Sequence, residues 1–232
     1  MSASGSASQR ARSAIFARLH EARREPAGAG APEVNVALAP LVAEPAGESR
    51  RQRFIRHARS WQAEVIETTP RGWPVQLLAL LRARGVRQLF AGPGSPIAAT
   101  LQAAVPAAQL RWFDRELAAL KPALFAADAG ITTTLGGIAA SGSLLLQPGV
   151  EEPRTLSLVP PLHIALLQEH ALHDSLLAAM RYHGWAQAMP SNLLTITGPS
   201  KTADIQRLLV YGAHGPRELV ILLVQDGDAD AR

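Results

Sequence analysis

From Pro74 onward the apolar residues change period at regular intervals. Val75 to Arg84 places them at helical spacing, and Gly85 follows as a C-cap. Val86 to Ala91 is a short, nearly continuous apolar run, as a buried strand requires, and Gly92-Pro93-Gly94-Ser95-Pro96 is a turn. Ile97 to Val105 returns to helical spacing, Leu110 to Phe113 reads as a strand, and Glu116 to Phe125 as a helix broken early by Pro122. Strands alternating with helices of about ten residues predict βαβ units and a parallel sheet.

The middle of the chain abandons that rhythm. Gly130 to Thr134, Ala139 to Gln147, Arg154 to Val159 and His163 to Gln168 all read as strands without helices between them. They predict an antiparallel or mixed section. His170 to Met180 reads as a helix, and Leu219 to Val224 as a final buried strand. Toward the N-terminus, Ala63 to Glu67 is a short strand. A helix beginning near Ser49 carries Phe54, Ala58 and Trp61 on one face. Ser8 to Arg24 is amphipathic, with Ile15, Phe16 and Leu19 among arginines, whereas Glu25 to Glu48 is rich in Pro, Ala and Gly and has little that could build a core. The expected organisation is a helical arm at 1–24, a flexible linker at 25–48, one α/β domain at 49–226 and a short tail at 227–232.

Composition narrows the function. The 232 residues are 47% apolar, enough for a packed core. There is no cysteine, which removes disulfides, thiol nucleophiles and cysteine-ligated iron–sulfur clusters from this chain. No apolar run is long enough to span a bilayer and no signal-peptide pattern opens the chain, so a cytoplasmic, soluble protein is expected. Of the net charge of +4, residues 1–59 carry +5 and the remainder −1. A neutral body with 5% aromatic residues argues against nucleic-acid binding. The histidines His163, His170, His173, His183 and His214 are too scattered to suggest a metal site.

The densest chemistry lies in Gly198-Pro199-Ser200-Lys201-Thr202-Ala203-Asp204 and Gly212-Ala213-His214-Gly215-Pro216. The apolar run Asn192 to Thr197 precedes them, and an amphipathic run, Ile205 to Val210, separates them. Strand, glycine turn and helix start would aim backbone N–H groups at an anion, with Ser200 or Thr202 as N-cap and Asp204 in the first turn. A phosphate-binding P-loop is excluded, because Ser200 precedes Lys201 and Thr195 stands where the earlier glycine belongs. Lys201 is one of only two lysines, with Lys121. Lys201, Asp204 and His214 are the catalytic candidates. A second glycine and hydroxyl turn, Ser141-Gly142-Ser143, joins Gly198, Ser200, Lys201, Thr202, His214 and Gly215 as candidate ligand-binding residues.

Taken together, Gly137 to Ser143, Leu156-Ser157-Leu158-Val159-Pro160-Pro161-Leu162-His163, Gly198 to Ile205 and Gly212 to Pro216 resemble, in order and spacing, the signatures of the LutC/YkgG family (lactate utilization protein C) within the LUD domain. The resemblance covers roughly residues 50–225. It implies a three-layer α/β/α fold with a mostly parallel sheet, like that of the sugar-isomerase (NagB/RpiA) and CoA-transferase group. It also implies a part in oxidising L-lactate to pyruvate beside iron–sulfur partner proteins, which would hold the clusters this cysteine-free chain cannot. No cofactor is expected in the chain itself. Many members of the family have Ile-Ala-Glu-Thr-Gly where this chain has Ile138-Ala139-Ala140-Ser141-Gly142, so residue 140 offers no carboxylate. Two other functions fit the same residues. One is a stand-alone enzyme acting on a phosphorylated or carboxylated small molecule; the other is a scaffold docked through its Arg-rich N-terminal helix.

Overall fold

The structure, a computed structural model, describes residues 4–22, 47–203, 209–212 and 214–226. The chain divides into two compact units, Met1–Ala46 and Gly47–Arg232. In the first, helix α1 spans Ser4–Ala22, and the Arg12 guanidinium lies 5.7 Å from the centroid of the Phe16 ring. Most of the expected linker, residues 23–46, and the tail from 227 lie outside the described residues.

The second unit opens with α2 (Arg50–Ser60), started by a capping box. Ser49 Oγ accepts from the Gln52 amide at 3.2 Å, and Gln52 Oε1 accepts from the Ser49 amide at 3.0 Å. Phe54 and Ala58 are fully buried, as their spacing predicts, but Trp61 is the C-cap and remains 42% exposed. Then follow β1 (Glu64–Thr68), α3 (Trp73–Ala83), β2 (Leu89–Ala91), α4 (Ala98–Ala104), β3 (Leu110–Trp112), α5 (Leu117–Phe125) and β4 (Ala129–Thr133). Pro122 does not break α5. Burial of Leu120 and Leu124 on either side of it offsets the one backbone hydrogen bond it cannot donate.

β5 (Gly136–Ile138) and β6 (Ser143–Leu146) form a hairpin, and β7 (Leu162–Gln168) returns to the main sheet. Between them, Thr155–Leu158 is one helical turn, α6, where alternation suggested a strand. So short a run fits either period, and Ser157 Oγ donates to the Arg154 carbonyl at 3.0 Å to close the turn. The helix expected over 170–180 is likewise divided. A 3₁₀ turn (Glu169–Ala171) leads into β8 (Leu172–His173), and Ser175 then N-caps α7 (Leu176–Tyr182), its hydroxyl accepting from the Ala178 amide at 3.2 Å. The remaining strands are β9 (Leu194–Ile196), β10 (Lys201–Ala203), β11 (Leu209–Tyr211) and β12 (Glu218–Val224).

Six strands form a parallel sheet in the order β1-β12-β7-β4-β2-β3. One face packs Leu77, Leu81 and Leu101, from α3 and α4, against Ile131, Ile164 and Leu222. The other face packs Phe54 and Ala58 of α2, with Leu144 and Leu146 of β6, against Ala165, Leu167 and Ile221. Two of the strands expected in an antiparallel or mixed section, Gly130 to Thr134 and His163 to Gln168, instead pair parallel in the main sheet as β4 and β7; the mixed sheet is β8-β5-β6-β9, in which only β5 and β8 are parallel. The α/β class with a mostly parallel sheet is as expected. The second covering layer is part helix, part sheet.

Candidate functional site

The signature turns converge on one cavity of about 340 Å³, within the size range of small-molecule sites. Gly198, Ser200 and Lys201 line one side, His214 and Gly215 another, and Ser157 and His163 reach it from α6 and β7. Lys201 and Thr202 do not begin a helix. They lie in β10, where Lys201 pairs with Tyr211 and Thr202 with Val210 of antiparallel β11. Among the described residues the expected helix start is replaced by a strand, so Lys201 and Thr202 do not form the N-terminal anion cradle read from the sequence. Asp204 lies outside the described residues.

Local backbone fit explains why two glycine turns are needed. The Ser200 amide donates to the Pro216 carbonyl at 2.9 Å, and the Gly212 amide to the Ser200 carbonyl at 2.8 Å. Gly215 lies so close that a Cβ there would stand 3.0 Å from Ser200 Cβ. Gly198 adopts φ +74°, and a Cβ on it would overlap the Trp61 carbonyl oxygen. The same tryptophan carries Lys201, whose Nζ sits 4.2 Å from the ring centroid. Trp61 therefore braces the first turn from below while leaving the lysine exposed.

Behind the cavity wall runs a chain of hydroxyls. Ser141 Oγ lies 2.8 Å from Ser143 Oγ, which lies 2.6 Å from Thr197 Oγ1, and Thr197 lines the cavity. Ser141, Gly142 and Ser143 stand one layer back, and Gly142 abuts the α2 backbone at Ala58. Ala140 is exposed on the β5–β6 turn, its amide donating to the Asp174 carbonyl at 3.0 Å.

His163 is the feature that residue-by-residue reading passed over. It is 1% exposed in β7, with Gly130 and Leu219 as its register partners. Its Nε2 lies 2.9 Å from Thr132 Oγ1, while Nδ1 is buried without a hydrogen-bond partner among the described residues. Burial pushes the imidazole down to about 3, so the ring is neutral at ordinary pH. An unsatisfied buried nitrogen costs free energy unless something bonds it, and His163 lines the cavity that could supply the partner.

The profile of the LUD domain matches residues 52–224. The chain belongs to the LUD domain family. An uncharacterized protein of Neisseria meningitidis serogroup B is 46% identical over 114 residues, 48% of this chain and 49% of that one. The uncharacterized protein YkgG of Escherichia coli is 36% identical over 104 residues, 43% of this chain and 45% of that one. A lactate utilization protein C of a Geobacillus species is 35% identical over 104 residues, 43% of each chain. The aligned stretches span a little under half the length of these curated relatives. A crystal structure of a DUF162 family protein from Deinococcus radiodurans superposes with a TM-score of 0.56 at 18% identity, covering 76% of this chain and 99% of that one. It supports the fold.

In this LUD domain the cavity offers three distinct kinds of group. Lys201 is a cation at the opening, His214 an exposed imidazole on the facing turn, and His163 a neutral ring at the floor. A small anion with a polar group at its other end matches that arrangement: charge toward Lys201, polar end toward His163. The one sequence signal for His163 was its place at the end of the Pro160-Pro161-Leu162-His163 signature.

Proposed function

We propose that the chain is a LutC-like component of lactate utilization. It acts with iron–sulfur partner proteins in the oxidation of L-lactate to pyruvate and carries no redox centre of its own. The observation that carries this reading is the relationship to relatives named lactate utilization protein C, at 31–36% identity. Two features support it: no cysteine is available to ligate a cluster, and the cavity is sized for a small carboxylate. The protein works in the cytoplasm; among the described residues no helix is long and apolar enough to cross a membrane. Deleting the gene should abolish growth on L-lactate as sole carbon source, and restoring it should bring growth back. Unimpaired growth of the deletion strain, with no second copy of the gene present, would refute the proposal.

A second reading has an observation in its favour. The cavity brings Lys201, His214 and a buried neutral histidine together within one chain. This suits an enzyme acting alone on a carboxylated or phosphorylated molecule, with Lys201 holding the anion and His214 moving a proton. Turnover by the purified chain without partners would decide for it. Under either reading Lys201→Ala should weaken pyruvate binding by about tenfold, the lower end for a charge-assisted hydrogen bond at an exposed site. Titration calorimetry measures this, and Lys201→Arg should retain most of the affinity.

A further inference from the structure

A different part of the sheet also carries the marks of a ligand site. From β2 the chain passes through α4 to β3 on one side; from β4 it proceeds to β7 on the other. β2 and β4 are neighbours whose onward connections leave in opposite directions. In open α/β sheets the crevice at the carboxyl ends of such a strand pair is where ligands bind.

In this structure a carboxylate already sits there, and it belongs to the chain itself. Glu152 Oε1 accepts from Ser95 Oγ at 2.5 Å, just beyond β2. Its two oxygens share the Thr133 amide at the end of β4, each at 3.1 Å, and Oε2 accepts from Thr133 Oγ1 at 2.7 Å. Two hydroxyls and a backbone N–H around a planar anion make a built carboxylate cradle, with Ser95 6% exposed. The carboxylate arrives on a short strap. Pro148 and Pro153 bracket it, the Gly149 amide donates to the Glu152 carbonyl at 3.2 Å, and Val150 is 91% exposed. Gly92 and Gly94 lie against Glu151 so closely that a Cβ on either would overlap it. Val150 at the strap's tip buries almost no apolar surface, and the Glu152 carboxylate contacts, with the seat of Glu151 on Gly92 and Gly94, hold the strap down. Exposed Arg154 and the hydroxyl-bearing Thr132 and Ser157 line a gap of only about 10 Å³ beside the cradle, so room for a ligand opens only when Glu152 leaves.

We propose that the cradle of Ser95 and Thr133 is a binding site for a small carboxylate, filled in this structure by the chain's own Glu152, which a ligand carboxylate displaces. The strap is then a tethered competitor. A short tether presents its carboxylate at an effective concentration in the millimolar range. The ligand must exceed that concentration or gain contacts beyond the carboxylate, for which Arg154 is placed. The proposal does not rest on the role in lactate utilization and stands or falls separately from it.

Hydrogen exchange on the full chain, with and without saturating pyruvate or acetate, tests it. Exchange across residues 148–153 should rise with either carboxylate while residues 92–97 stay protected. Calorimetry should show Glu152→Ala binding pyruvate about tenfold or more tighter than the parent chain, and Ser95→Ala added to it should remove that gain. If Glu152→Ala does not fold, Glu152→Gln serves, since its amide group cannot accept all the cradle's hydrogen bonds. Unchanged exchange of the strap in the parent chain, or a gain that survives Ser95→Ala, would overturn the proposal. Inorganic phosphate matching the carboxylates in both measurements would overturn the ligand class.

Discussion

Gly142→Ala will lower the melting temperature by on the order of 10 °C, although position 142 is a surface-turn glycine by sequence. Gly142 holds φ +66°, and a Cβ there would overlap the Ala58 amide nitrogen and the His57 carbonyl carbon. Both are backbone atoms of α2, which cannot swing aside as a side chain would. Left-handed backbone costs a side-chain-bearing residue roughly 1–2 kcal/mol, and overpacking typically about 1–3 kcal/mol more. For a domain of this size each kcal/mol is about 2–4 °C. Gly149, where a Cβ would meet nothing within 4 Å, is the control, and Gly149→Ala should leave the melting temperature nearly unchanged. Thermal unfolding followed by circular dichroism compares the two; equal midpoints would contradict the α2 contact. The same substitution shifts Ser141 and Ser143, so the hydroxyl chain to Thr197 should loosen with it.

Folding stability will fall as pH drops from about 6.5 toward 3, and His163 will account for about one proton of that dependence. Burial holds the folded-state value near 3, against an ordinary 6.5. Below 6.5 the unfolded chain takes up a proton that the folded chain refuses, so unfolding gains; above 6.5 both states are neutral and the contribution vanishes. One proton corresponds to a slope of about 1.4 kcal/mol per pH unit. His173 adds in the same direction, lowered first by burial and then by the charge of His183. Asp174, lowered by its hydrogen bond from Arg50, enters only at more acid pH. Glu48, lowered by its hydrogen bond from Arg56, likewise enters only as the pH approaches 4.5, so urea unfolding between pH 6.5 and 5.5 reads chiefly the histidines. His163→Gln should flatten the curve by about one proton, and an unchanged slope would show that His163 is not the buried neutral group described.

The βαβ rhythm was legible where an element repeats its period long enough to be counted, as in Val75 to Arg84 and the apolar run that became β12; β7 was legible as a strand, but its parallel pairing with β4 and β12 was not. Short segments were not. Arg154 to Val159 suits strand or helix equally, and only its place between Pro153 and the Pro160-Pro161 pair, with Leu156 buried, settles it as a turn of helix. At 200–203 glycine, hydroxyl and acidic signals all spelled a helix start, yet pairing with Leu209–Tyr211 prevailed, an interaction no local window contains. The signature turns were found because glycine and proline mark turns directly. The site roles of His163 and Glu152 were not legible for a different reason. The isolation of the one comes from strands β4 and β12 on either side, and the cradle of the other from residues up to 57 positions away.

Among the described residues β1 lies at the sheet edge and pairs only with β12, Val65 against Ile221. During synthesis, then, the first strand of the domain waits for the last. Until Glu218–Val224 leaves the ribosome, β1 has no neighbour, β7 has an open edge, and Leu219, Ile221 and Leu223 are missing from the layer under α2. β12 lies between β1 and β7, so the sheet and the cavity, which includes Leu219, are both incomplete without it.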